Sequence, residues 1–221
     1  MNILAVDTAG KTVGVALLQD DRLLYECYLD AGMTHSETLM PLIDNCLKFC
    51  GMGCKDIDLY GVNAGPGSFT GLRIGAGVAQ GLAAPFATPL IGVPCLDAVA
   101  CQISAPCVLA ATDARMGEVF YAWFDTAALR RLSDYQVGKA AEIALPPGFV
   151  ATEAKGVGNA FALADAPPFA GKPDMPTAAD YLRLAQSGRY AATGAAQAEL
   201  LDVRNKIALT AQEQAARKAL T

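Results

Sequence analysis

The chain has 221 residues, enough for one large domain or two halves of about 100. Hydrophobic residues make up 53% and charged residues only 18%, so a sizeable core can form. The formal charge of −5 repels phosphate backbones, which excludes stand-alone nucleic-acid binding and leaves RNA contact only through a partner.

At the start of the chain, "NILAVD" (2–7), "TVGVALL" (12–18) and "RLLYECYLD" are apolar runs separated by turns. Their spacing predicts an antiparallel meander. "MTHSETLMPLIDNCLKFCG" follows, with Leu39, Leu42, Ile43, Cys46, Leu47 and Cys50 at helical spacing. Thr34 and Glu37 form a capping box, Pro41 should kink the helix, and Gly51 closes it. "IDLYGVNA" reads as a strand, 63–83 as a loop and helix, "LIGV" as a strand and "CLDAVACQI" as a helix. This strand–helix alternation adds parallel strands to the meander.

No charge appears between Arg73 and Asp97, but Pro85, Pro89 and Pro94 interrupt that stretch, so no membrane span is expected. Seven cysteines and a first segment that runs straight into a strand pattern predict reduced thiols in a cytoplasmic protein.

"VLAATDARMGEVFYAWF" (108–124) repeats the layout of "ILAVDTAGKTVGVALL": an apolar strand ending in Asp, a turn with Gly, a second apolar strand. Asp113 then corresponds to Asp7, and two copies of one unit predict a duplicated fold with the aspartates facing each other. Beyond residue 140 proline-rich loops dominate. "TAADYLRLAQSG" is a helix capped by Thr177 with Asp180, and Thr210 with Glu213 opens a last helix.

"NAGPGSFTGLRIGAGVAQGLA" (63–83) fits neither phosphate-binding template: no lysine follows the glycines, and Gly65, Gly67 and Gly71 give GxGxxxG rather than GxGxxG. Gly71, Gly75, Gly77 and Gly81 inside a helix cost roughly 1 kcal/mol each, about 4 kcal/mol together. Gly71, Gly75, Ala79 and Ala83 form one stripe, and Gly77 and Gly81 lie on another face. Packing on its own sheet would use one stripe. The two faces together predict a helix from another subunit, with Gly67, Ser68, Phe69, Gly71, Arg73, Ile74, Gly75 and Val78 as the partner-binding residues.

Asp7 beside Gly10 could hold a metal–phosphate group, opposed by Asp113. A phosphate-gripping turn needs small residues, and Arg115 and Met116 put bulk into the second turn. Asp7, Asp113 and Arg115 therefore read as a degenerate nucleotide site. His35 is the only histidine, which leaves no two-histidine metal site, and it sits at a helix start. Buried thiols are the expectation for Cys46 and Cys50, and no metal or catalytic residue is assigned.

At "AVDTAG", "MTHSETLMPLI", the 63–83 stretch and "AATDARMGEVFYAWF" the chain resembles the bacterial TsaB (YeaZ) family over roughly its first 125 residues, and more loosely at "DVRNKIAL". The resemblance implies an α/β actin-like/sugar-kinase (ASKHA) fold of two duplicated ribonuclease-H-like domains, expected here at 1–103 and 104–205. A C-terminal helix at 206–221 is expected to pack back on the first. It also implies a non-catalytic scaffold for making threonylcarbamoyladenosine beside the tRNA anticodon. The partners implied are the metal-bearing sister TsaD, which transfers the threonylcarbamoyl group, and the small ATPase TsaE, with TsaC supplying the activated group. Heterodimerisation would use N-terminal-domain helices, with a homodimer when TsaD is absent. No cofactor is expected in the isolated chain, and ATP or ADP only in complex with TsaD and TsaE. Two other readings stand beside this one: an actin-fold ATPase or phosphotransferase using Asp7 and Asp113, and a glycoprotease-like metallopeptidase.

Overall fold

A computed structural model of the chain describes residues 1–32, 34–201 and 203. The expected helix at 206–221, its Thr210–Glu213 capping box and most of "DVRNKIAL" lie outside the described residues.

The first three runs form the predicted meander: β1 (Asn2–Asp7), β2 (Thr12–Gln19) and β3 (Arg22–Asp30). After helix α1 (His35–Cys50), β4 (Leu59–Gly65) joins β1 in parallel. After α2 (Phe69–Ala83), β5 (Leu90–Pro94) joins β4 in parallel, giving the order β3-β2-β1-β4-β5. Thr34 stands before α1, but no capping box forms: its hydroxyl donates to the Ala31 carbonyl at 2.9 Å. The helix continues across Pro41 and ends at Gly51, whose φ of 65° suits a residue without Cβ.

The second half repeats this order. In it, β6 (Val108–Arg115) and β7 (Glu118–Asp125) form a hairpin, and β8 (Arg130–Arg131) and β9 (Gln136–Gly138) pair antiparallel with β7. The short strands β10 (Lys155–Val157) and β11 (Gly171–Lys172) add in parallel beyond β6. Short 3₁₀ turns at Ala140–Glu142 and Asn159–Ala162 stand where the first half has α1 and α2. Two copies of one five-position order constitute the actin-like/sugar-kinase (ASKHA) arrangement of ribonuclease-H-like halves.

Alternation along each strand sorts the core. Leu4, Val6, Val15 and Leu17 pack beneath α1 and α2, while Ile3, Ala5, Ala16 and Leu18 face the other way. That second face is covered by α4 (Ala178–Gln186), through Tyr181, Leu182 and Ala185. Reciprocally, α3 (Cys95–Ala100) places Leu96 and Val99 against Val108 and Ala110 of the second sheet. The halves thus exchange helices across their junction, so the packing boundary does not follow the chain boundary near residue 103. Asp97 on α3 ties the exchange together, accepting from the hydroxyls of Tyr135 (2.6 Å) and Tyr190 (2.8 Å).

The glycine helix corrects the expectation of a partner-facing Gly71–Gly75 stripe. A Cβ on Gly71 would overlap the Thr8 carbonyl oxygen, and one on Gly75 would overlap Thr8 Oγ1. Both glycines, with Ala79 and Ala83, are buried against the helix's own sheet. Thr8 Oγ1 donates to the Gly71 carbonyl at 2.7 Å, and Ser68 N donates to the Ala9 carbonyl at 3.0 Å. Added Cβ atoms on Gly77 and Gly81 would meet nothing within 4 Å among the described residues.

Gly71→Ala should therefore lower stability in urea denaturation by about 1–3 kcal/mol through overpacking. Gly77→Ala should raise it by about 0.5–1 kcal/mol, since an exposed helical glycine gains from a methyl group. Equal effects of the two would contradict this placement.

Candidate functional site

Between the halves lies a cleft of about 730 Å³. Its lining includes Asp7, Gly10, Lys11, His35, Asn63, Gly67, Ser68, Phe69 and Arg73 from the first half. Thr112, Asp113, Arg115 and Asn159 come from the second, and Cys95 and Tyr181 from the exchanged helices. The volume suits a ligand of nucleotide size.

Asp7 follows Ile3 and Ala5 on the face turned toward α4, and Asn63 of β4 shares that face with Leu59. Asn63 Nδ2 donates to Asp7 Oδ1 at 2.9 Å and to the Tyr181 hydroxyl at 2.7 Å, and Asn63 Oδ1 accepts from Gly65 N at 2.8 Å. The amide is thereby saturated and its orientation fixed. Burial pushes the Asp7 carboxyl above its ordinary value of 3.8, opposed by the hydrogen bonds from Asn63 and Ala9 N and by the charge of His35. Burial also pushes the Cys95 thiol up to about 12 and raises the Tyr181 phenol, so neither ionises near neutrality.

Asp113 does not mirror Asp7. Strand alternation sets it with Leu109 and Ala111, on the face away from α3, and Thr112 takes the inward position. Its carboxylate turns onto its own hairpin: Oδ1 accepts from Arg115 N at 2.8 Å, and Oδ2 lies 3.5 Å from the Arg115 guanidinium. Arg115 (φ 65°), Met116 (φ 59°) and Gly117 (φ 75°) are all left-handed, which closes the hairpin as a tight primed turn. The expected pair of facing aspartates is therefore not built. The Thr112 hydroxyl is buried without a hydrogen-bond partner among the described residues.

The first turn also fits a phosphate poorly. Gly67 packs against Ala9, where a Cβ would come within 2.8 Å of the Ala9 methyl, and the Ala9 amide is already donated to Asp7 at 3.1 Å. With Arg115 and Met116 in the second turn, the cleft lacks the two open backbone cradles a triphosphate clamp needs.

The remaining predicted residues separate along α2. Gly71 and Gly75 are buried inside the chain, Ile74 and Val78 are half-buried on the core, and Ser68 caps the helix, its Oγ accepting from Gly71 N at 3.3 Å. Phe69 is 67% exposed, with the Arg73 guanidinium stacked 3.7 Å from its ring centroid. Phe69, Arg73, Gly77 and Gly81 form the outward line. His35 Nε2 is 2.9 Å from the Gly10 carbonyl, bracing the first turn. Among the described residues no group of three or more His, Cys, Asp or Glu is placed to hold a metal, and no helix is long and apolar enough to cross a membrane.

Sequence reasoning missed Asn63, Tyr181, Cys95 and Thr112. A lone asparagine in the apolar run "YGVNAG" was a readable signal for Asn63. Tyr181 reaches the site only through the helix exchange.

A family model described as "TsaD: tRNA N6-adenosine threonylcarbamoyltransferase" matches residues 30–219. The protein named "tRNA threonylcarbamoyladenosine biosynthesis protein TsaB" in Escherichia coli (strain K12) is 42% identical over 126 residues, 55% of this chain and 54% of that protein. Its namesake in Haemophilus influenzae is 40% identical over 125 residues, 55% of this chain and 52% of that protein. The chain thus spans about half the length of the curated relatives it matches. Among solved structures, YeaZ from Pseudomonas aeruginosa superimposes with a TM-score of 0.80 at 29% identity, covering 91% of this chain and 99% of that one.

Two measurements check the polar network. A carboxyl raised on folding stabilises the fold while protonated, and that contribution is lost as pH rises through the folded value. Asp7→Asn should therefore unfold at higher urea than the parent at pH 7, with the gap closing as pH falls toward 3.8. Tyr181→Phe leaves one buried Asn63 amide hydrogen without an acceptor and should cost about 1–3 kcal/mol in the same assay.

Proposed function

This chain belongs to the TsaB/YeaZ family, within the wider family described as tRNA N6-adenosine threonylcarbamoyltransferase, and from that premise we propose that it is a non-catalytic subunit for threonylcarbamoyladenosine synthesis. In this reading it docks on the catalytic sister TsaD and is joined by TsaE. It contacts tRNA only through them and works in the cytoplasm. Any ATP or ADP is held by the assembled complex rather than by this chain.

One observation carries the proposal. Gly77 and Gly81 together cost α2 about 2 kcal/mol of helix propensity, and among the described residues neither meets a neighbour that returns it. Gly71 and Gly75 do, through Thr8. A second helix lying along Phe69, Arg73, Gly77 and Gly81 would recover that cost through close backbone contact. The same surface accepts a copy of itself when TsaD is absent. A metallopeptidase has little to build on, with His35 as the sole histidine and its ring engaged at Gly10.

The phosphotransferase reading has one observation in its favour, a carboxyl raised by burial in a large cleft. Asp113 turned onto Arg115 weighs against it.

Mixing the chain with TsaD and TsaE and measuring modified tRNA should show modification that depends on the chain. Gly77→Leu with Gly81→Leu should leave the monomer folded and abolish co-elution with TsaD, with modification falling at least tenfold. Unchanged co-elution of that variant, or Mg-ATP turnover by the isolated parent chain, would defeat the scaffold reading.

A further inference from the structure

After α4 the chain returns along the first half in a path that the site's chemistry does not use. Thr193 exchanges two backbone hydrogen bonds with Leu90 on edge strand β5, each 2.8 Å. Gln80 of α2 then grips the passing backbone, its Nε2 donating to the carbonyls of Ala195 (2.8 Å) and Ala198 (3.3 Å). Farther on, Leu201 N donates to the Ala64 carbonyl at 2.8 Å, next to Asn63. Gly65, at φ 97°, leaves room for this approach, since its Cβ would stand 3.2 Å from the Leu201 carbonyl oxygen. Leu200, Leu201 and Val203 line the cleft, and Val203 packs with Ile103, Tyr135 and Val137 on the core of the second half.

We propose that the segment Ala195–Leu201, with Val203, is an internal strap, which bridges the halves along one wall of the cleft and fixes the angle between them. In a two-lobed fold with an open cleft, a bound ligand touches both lobes and holds them together. Here the apolar side chains of the chain itself make the connection, from β4 on one side to the α3 cluster on the other. This rests on the contacts of Leu201 and Val203 with opposite halves and does not depend on the docking proposal.

The strap has the properties of a releasable element. Ala195–Gln197 forms a single 3₁₀ turn, residues 198–201 belong to neither helix nor strand, and Gln197 and Glu199 are exposed. Past Thr193 it is held to the first half by one side-chain amide, one backbone bond and the packing of Ala195 and Ala198 on the core, and to the second half by Val203. Such segments open at far lower free energy than the sheet beneath them.

Hydrogen exchange on the full chain tests this, comparing the parent with Gln80→Ala, Leu201→Asp and the conservative Leu201→Ile. Amides of residues 8–12 and 112–117 flank the cleft on opposite halves, and no strap hydrogen bond falls on them. In Gln80→Ala and Leu201→Asp they should exchange at least tenfold faster, with α1 and β2 unchanged and Leu201→Ile close to the parent. Unchanged exchange at both segments in folded variants would overturn the strap as a clamp. Global unfolding of Gln80→Ala and Leu201→Asp would also overturn it, because a releasable element must be dispensable to the fold.

Discussion

The contact between Thr8 and Gly71 sets the geometry of the first half and of the cleft. Thr8 ends the run of β1 and turns its hydroxyl into the first turn of α2, where only a residue without Cβ lets the helix come close enough to accept it. Gly75 extends the approach one turn on, and Gly67 lets the preceding loop settle on Ala9. The hydrogen bond is buried, and a wider gap would leave a hydroxyl and a carbonyl unsatisfied. The position of α2, and hence the direction in which Phe69 and Arg73 project, follows from how closely it seats on β1.

The two halves are held by side chains that each has lent to the other. Tyr181, carried by α4, completes the Asp7–Asn63 network of the first half, and Asp97, carried by α3, receives hydroxyls from Tyr135 and Tyr190 beyond the first half. Both networks are buried or nearly so, and each joins elements distant in sequence. Polar groups in such places favour one docking angle, because any other leaves donors unpaired in a low-dielectric interior.

The first half was largely legible in the sequence because its strands alternate cleanly and its helices are long enough to show a period. The meander, the parallel additions and the Gly51 stop all came from such signals. In the second half, Lys155–Val157 and Gly171–Lys172 are too short to display alternation, and their pairing depends on β6. At the site, the repeat exposed Asp7 and Asp113 but not the one-residue change of face that separates them, since the pattern does not say which face of β6 is covered by α3. The Gly71–Gly75 stripe is misassigned for a related reason. Sequence spacing gives the faces of a helix but not which face meets its own sheet. Thr8, a small polar residue at a strand end, was the clue to the inward stripe.

The exchange of α3 and α4 also bears on how the chain is made. Ile3 and Ala5 leave the ribosome long before the helix that covers them, which spans 178–186. Until that helix emerges, one side of the first sheet has no lid from its own chain, so the nascent protein presents an oily surface to the cell's chaperones.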